Sequence, residues 1–206
     1  MSTPAGEQER ILASEWGGGR SPFGLNWPKL MMWLFLAQDT LTFAGLLSGY
    51  GVMRLSIGHW PHQAEVFSLY LVGAMTFILI CSSATMAVAV AASKRGDHAK
   101  VAPYLLLTAL GGLLFLGGQY YEWSHLIAEG ARLFTNPWGV PQFTATFFIT
   151  TGFHGAHVAA GVLYLLATLW RWRRQSIQPE SVEIAGLYWH FVDLVWVFIF
   201  TLLYLI

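Results

Sequence analysis

Acidic and histidine side chains occur inside long apolar segments of this sequence. In hydrocarbon such groups cost several kcal/mol unless they are paired or hydrated, so each marks a candidate functional site. Of five deep ones, Asp39, His154 and His157 lie near the middle of their segments, and His190 and Asp193 lie in the inner half of the last segment. Two others, Glu122 and His125, lie late in the third segment and closer to one surface. The comparable depth of the first five predicts an intramembrane polar cluster contributed by three helices.

Three interpretations of this cluster stay open on the residues alone. The acids and histidines could fix helix packing through hydrogen bonds, or form a polar-lipid or proton site around Asp39. The third interpretation is a heme or metal site, with His154 or His157 facing His190. The sequence holds no CxxCH, CxxC or HExxH spacing to support a cofactor. A heme–copper catalytic subunit would also need more histidine ligands than these helices offer.

Five apolar segments are long enough to span a bilayer, which takes about 20 residues. They cover roughly 30–53, 66–92, 102–126, 143–170 and 185–206. Hydrophobic residues make up 55% of the chain and charged residues 11%, against about 25% charged in soluble domains. The sequence therefore predicts an all-α integral membrane bundle of five transmembrane helices, forming one domain over 29–206.

The first 28 residues are polar and glycine-rich, which predicts a flexible cytoplasmic tail without a signal peptide. The net charge of zero gives no indication of a nucleic-acid partner. One cysteine, Cys81, excludes an internal disulfide framework.

Lys and Arg residues are distributed unequally between the two ends of the predicted spans. Nine lie on the side of the N-terminus and two, Arg54 and Arg132, on the other. Positive residues accumulate in cytoplasmic loops. We therefore expect a cytoplasmic N-terminus and a C-terminus on the periplasmic or outer side.

Four segments carry a resemblance to one family. They are YWHFVDLVWVFIF (188–200), FFITTGFHGAHVAAG (147–161), GQYYEW (118–123) and WLFLAQDTLTFAG (33–45). Together they resemble the heme–copper oxidase (cytochrome c oxidase) subunit III family in its short, five-helix bacterial form. Asp39 falls where that family has an intramembrane Glu, and Gln38 replaces the usual Ser, so the acid is kept but shortened by one methylene.

The resemblance implies an accessory subunit without a redox centre, in the plasma membrane of a bacterium. Its partners would be oxidase subunit I, with II and IV, which hold the hemes and copper, and the assembly could join a respiratory supercomplex. Family members hold phospholipid, protect the catalytic subunit from damage during turnover and help to keep proton uptake fast. The alternatives are an accessory subunit of a nitric oxide reductase, a small proton or ion transporter, or a membrane b-type cytochrome.

Overall fold

The computed structural model describes residues 26–206, most of which form five long helices. The helices are α1 (Trp27–Ser56), α3 (Leu69–Lys94), α4 (His98–Ala128), α5 (Pro141–Arg173) and α6 (Pro179–Ile199), with a short α2 (Gln63–Val66) in the first connector. A π-helical segment, Phe200–Leu205, continues α6. All five long helices are apolar enough to cross a membrane, which confirms the predicted all-α bundle. Most of the predicted tail, residues 1–25, lies outside the described residues.

Proline and glycine set several helix limits. A proline lies in the first turn of α1 (Pro28), of α5 (Pro141) and of α6 (Pro179). Backbone N–H groups in a first turn have no partner within the helix, so proline loses no hydrogen bond there. After α3 the chain reverses at Gly96, whose φ of 74° suits a residue without a Cβ. There the Asp97 N–H donates to the Ala92 carbonyl and closes the end of the helix.

Helix α6 begins at Pro179, before the predicted span limit of 185. These extra turns are polar, and they include Glu183, which pairs with lysines from two other helices. Its Oε1 lies 2.7 Å from Lys29 Nζ and 3.1 Å from Lys94 Nζ. This cluster joins α1, α3 and α6 at one end of the bundle.

Helix α6 packs against α1, α3 and α5. Two fully buried tryptophans of α6 donate indole N–H bonds to α3. Trp189 Nε1 lies 3.0 Å from Ser82 Oγ, and Trp196 Nε1 lies 2.9 Å from Thr76 Oγ1. Gly112 of α4 lies against Trp189, and a Cβ there would meet the ring at 2.4 Å. The indoles therefore set both the spacing and the register of the helices around α6.

Candidate functional site

An acid–histidine pair joins α1 to α5 inside the bundle. Asp39 Oδ2 lies 2.9 Å from His157 Nε2, and the two side chains are 11% and 15% exposed. The distance is that of an ion pair, although Oδ2 lies off the direction required for a hydrogen bond. The structure thus brings together two of the five residues of the predicted cluster.

The other ring nitrogen of His157 decides how protons can be placed in this pair. His157 Nδ1 lies 2.8 Å from the Phe153 carbonyl oxygen, which can only accept, so Nδ1 carries a hydrogen. A proton shared by the two groups could lie on Nε2 of an imidazolium or on the Asp39 carboxyl. Such a pair can hold a proton and pass it on.

Helix α6 supports the pair through a tyrosine. Tyr188 Oη donates to the main-chain carbonyl of His157 at 3.0 Å. The ring of Tyr188 also stacks on Phe35 of α1, with centroids 6.1 Å apart. Three helices therefore meet at His157, although the sequence pointed only to the histidine and the acid.

His154 lies one turn from His157 on α5 and is fully buried. Neither of its ring nitrogens has a hydrogen-bond partner among residues 26–206. The imidazole stacks on Trp196 at 5.1 Å and meets the edges of Phe115 and Phe43. Phe43 contacts His157 as well, so one aromatic ring separates His154 from the Asp39 pair. An apolar side chain would pack here without leaving polar atoms unpaired.

His190 and Asp193 lie apart from the Asp39 pair, on the other side of α6. His190 is exposed, and its Nδ1 lies 2.6 Å from Ser83 Oγ of α3. The predicted cluster is therefore two groups in the structure. Equal depth placed all five residues at one level, but depth does not determine which side of a helix a residue occupies. Ser83 was missed because a serine inside an apolar run carries no sequence signal of its own.

Glu122 forms a third polar group, near the end of α4. It is only 5% exposed, and Tyr204 Oη donates to its Oε2 at 2.8 Å. Its side chain lines a cavity of about 310 Å³, together with Ser68 and His125. His125 itself is exposed, with Nδ1 3.5 Å from Glu129 Oε1. The sequence pattern predicted Glu122 near the outer rim, and it carried no signal that Tyr204 contacts and helps to bury this side chain.

Within residues 26–206, no group of three or more His, Cys, Asp or Glu side chains is arranged to hold a metal ion. The deep histidines also do not form a facing pair. His190 bonds to Ser83 on the outside of the bundle, whereas His154 and His157 lie on the opposite side of α6.

Comparison with known proteins identifies the family. Residues 23–206 match the family model for cytochrome c oxidase subunit III. The chain belongs to the cytochrome c oxidase subunit III family. It is 35% identical over 179 residues to cytochrome c oxidase subunit 3 of Alkalihalophilus pseudofirmus, with 85% of each chain covered. It is 39% identical to cytochrome c oxidase subunit 3 of a Synechocystis species, covering 84% of this chain and 73% of the relative.

A third relative carries a different name. Quinol oxidase subunit 3 of Bacillus spizizenii is 34% identical over 179 residues, with 85% of each chain covered. The predicted resemblance to subunit III is confirmed, and these names favour an oxidase over the nitric oxide reductase alternative. Within this subunit III chain, Asp39, His157 and His154 all lie inside the matched region.

Proposed function

We propose that this chain is a non-redox accessory subunit of a proton-translocating heme–copper terminal oxidase. The match to subunit III over residues 23–206 carries the proposal. One relative is named a cytochrome c oxidase subunit 3 and another a quinol oxidase subunit 3. Both names describe subunits of terminal oxidases. In that assembly the hemes and copper belong to partner subunits, and this chain stabilises subunit I, binds lipid and supports proton uptake.

The Asp39–His157 pair is the group that supports a proton-related role. Its carboxyl and imidazole lie 2.9 Å apart near mid-membrane, where ionisable side chains occur mainly for function. The aromatic ring of Phe43 and the carbonyl of Phe153 keep the imidazole in one orientation. We propose that the pair buffers protons for the oxidase.

Removal and re-addition of the chain test this role. An oxidase complex purified without this chain should begin turnover at a normal rate and then lose activity faster than the complete complex. Adding back the chain should restore the lifetime, and adding back an Asp39→Asn chain should restore it only in part. Equal lifetimes with and without the chain would contradict the proposed function.

A groove at the charged end of the bundle supports phospholipid binding. It lies between α1, α5 and the start of α6, with a volume of about 430 Å³. Met31, Phe35 and Ile177 give it apolar walls, whereas Arg171 and Ser181 supply polar groups. A phosphate at Arg171 with an acyl chain against Phe35 matches this arrangement of polar and apolar groups.

The lipid proposal has a matched control within the same helical turn. Arg171→Gln should lower the amount of phospholipid that stays with the purified complex, measured by mass spectrometry. Arg173→Gln removes the same charge from a residue outside the groove and should leave lipid retention unchanged. Equal losses for both variants would show that the charge acts only through the general surface potential.

We also propose that the end of the bundle with Lys29 and Lys94 faces the cytoplasm. It rests on the excess of Lys and Arg at that end. In a Cys81→Ser background, a membrane-impermeant maleimide applied to intact cells should label Gly58→Cys and leave Ser176→Cys unlabelled. Labelling of Ser176→Cys alone would show that the chain has the opposite orientation.

A further inference from the structure

Gln119 places an unpaired amide oxygen inside the bundle, next to His154. The side chain is buried in α4, and its Nε2 donates to the Thr151 carbonyl of α5 at 2.7 Å. Its Oε1 has no hydrogen-bond partner within residues 26–206. A Cβ on Gly155, which follows His154 in the chain, would meet this oxygen at 2.7 Å. The amide therefore packs against the turn of α5 that carries His154, whose two ring nitrogens are also unpaired in this range.

Glu122 continues this line toward the end of α4. It lies three residues after Gln119, so the two side chains share one face of the helix. Its Oε1 is buried without a partner among the described residues, whereas Tyr204 donates to Oε2. Tyr204 belongs to the π-helical segment Phe200–Leu205, and π-helical turns occur frequently at functional sites. An acid, an amide and an imidazole thus follow one another from α4 into α5.

A cavity lies beside Glu122, at the end of the bundle that we place on the outer side. Its volume is about 310 Å³, and Ser68 and His125 form part of its wall. It has room for several water molecules, each of which needs about 30 Å³. Ser68 precedes α3, His125 lies three residues before the end of α4, and both are exposed. The cavity is therefore accessible at the level of the membrane surface.

The three buried groups lie at increasing depth below this surface. Glu122 is six residues from the end of α4 and Gln119 is nine, which corresponds to about 9 and 14 Å. His154 is thirteen residues from the start of α5, or about 20 Å. Successive groups are thus about 5 Å apart along the helix axes, a separation that one bridging water molecule can span.

Phe43 of α1 marks the inner limit of the line. The centroid of its ring lies 6.3 Å from that of His154 and 5.4 Å from that of His157. His157 is three residues after His154 on α5, and its Nε2 faces Asp39. The line therefore ends beside the acid–histidine pair, with one aromatic ring between them.

Unpaired buried atoms are concentrated along this line. Within residues 26–206, eight buried side-chain nitrogen and oxygen atoms lack a hydrogen-bond partner, and five of them belong to Asp39, His154, Gln119 and Glu122. Buried polar atoms in folded proteins are nearly always paired, and each exception requires an explanation. Apolar side chains would pack these helices equally well, so the concentration of unpaired atoms indicates a use for them.

We propose that Glu122, Gln119 and His154 form a proton route between the outer aqueous phase and the Asp39–His157 pair. Water in the cavity gives a proton to the Glu122 carboxylate. Gln119 is a positioning residue, whose Oε1 holds the water that carries the proton on to His154. His154 accepts this proton on one ring nitrogen and releases another from the opposite nitrogen toward the pair. The inference rests on the proposed function, in which the pair buffers protons, and it adds the side of the membrane with which the pair exchanges them.

Water-edited solid-state NMR tests the route in the complete complex, reconstituted into bilayers with ¹⁵N-histidine in this chain only. The ring signals of His154, assigned by their loss in His154→Leu, should gain polarisation from water. Gln119→Leu should slow this gain severalfold, because it removes the group that positions the water. Gln142→Leu makes the same change at an exposed site of α5 and should have no effect. No transfer from water to His154, or equal transfer in Gln119→Leu and the parent, would overturn the route.

Filling the cavity tests the side from which protons enter. Ser68 is exposed and makes no capping hydrogen bond, so Ser68→Trp can occupy the cavity without disturbing the core. It should slow the transfer from water to His154 and His157 severalfold. Ser56→Trp, at the exposed end of α1 and outside the cavity, is the control. Equal transfer in the two variants would show that water reaches the histidines elsewhere and would overturn the proposed entry.

His154→Leu tests the connection to the pair. It should slow the transfer from water to His157 severalfold, and an unchanged rate would overturn that connection. The route and the proposed function fail in different ways. If a heme–copper subunit co-purifies with the chain but water does not reach His154, the route is wrong and the proposed function stands. If Gln119→Leu and Ser68→Trp slow the transfer in a complex without heme, the route stands and the proposed function is wrong.

Discussion

His157 Nε2 lies 2.9 Å from Asp39 Oδ2, and this contact links the first and fourth membrane helices at mid-depth. The Phe153 carbonyl fixes the opposite ring nitrogen as a donor. Nε2 is therefore the ring nitrogen that faces the Asp39 carboxyl. A buried pair of this kind is sensitive to small changes in side-chain chemistry, which makes it a direct target for mutation.

Asp39→Asn should separate the proton chemistry of the pair from its packing. The amide can donate to His157 Nε2, so the contact survives but the pair holds no exchangeable acid proton. We expect normal assembly, slower proton uptake in proteoliposomes and a severalfold shorter active lifetime of the complex. Asp39→Glu retains an acid and should behave more like the parent. Equal proton uptake and lifetime in the Asn variant and the parent would contradict a proton-related role.

His154→Leu should leave folding nearly unchanged but reduce function. It removes two unpaired ring nitrogens from a fully buried site and nearly conserves side-chain volume. The free energy of unfolding should therefore change by less than about 1.5 kcal/mol. Support of oxidase turnover should fall, because a buried polar group without partners indicates a functional requirement. Thermal denaturation and turnover lifetime of the same preparation give both readouts; parent-like turnover would make His154 a packing residue only.

Gly112→Ala should destabilise the bundle through a direct clash. The added Cβ would lie 2.4 Å from the Trp189 ring and 2.7 Å from Val162, so the α4–α6 contact must open. Overpacking of this kind costs about 1–3 kcal/mol. Gly117→Ala is the control, since a Cβ there meets nothing within 4 Å. Unfolding in mixed detergent should distinguish the two variants, and equal midpoints would refute the close approach.

Tyr204→Phe should leave the buried Glu122 without its hydrogen-bond donor. The Oε1 atom already has no partner within the described residues, so the variant leaves the whole carboxyl unsatisfied. The expected loss is about 1–3 kcal/mol in the free energy of unfolding. Tyr120→Phe changes the same group at an exposed position of α4 and should be neutral. The double variant Glu122→Leu/Tyr204→Phe should recover part of the loss, because it removes both polar groups.

Sequence patterns determined much of the fold. Apolar length predicted all five membrane helices, and the lysine and arginine distribution anticipated that Lys29 and Lys94 share one end. Helix α6 starts earlier than the predicted span because ion pairing with those lysines stabilises Glu183 in a helical turn. Hydrophobicity alone assigns such a residue to the connector.

The site was only partly accessible from the sequence. Depth along each helix correctly placed Asp39 near His157, but it also grouped them with His190, which faces outward toward Ser83. Which side of a helix faces a neighbour depends on packing, here on how Trp189 and Trp196 fix the rotation of α6. Tyr204 was missed for the same reason, since its role depends on the fold bringing it to Glu122.

Affinity purification of the tagged chain from solubilised membranes tests the central claim most directly. The account predicts that a heme–copper catalytic subunit co-purifies, with heme bands in the reduced-minus-oxidised spectrum of the complex. It also predicts no heme bands from this chain after the partner subunits are removed. Heme bands from the isolated chain, or purification without any heme–copper subunit, would contradict the account.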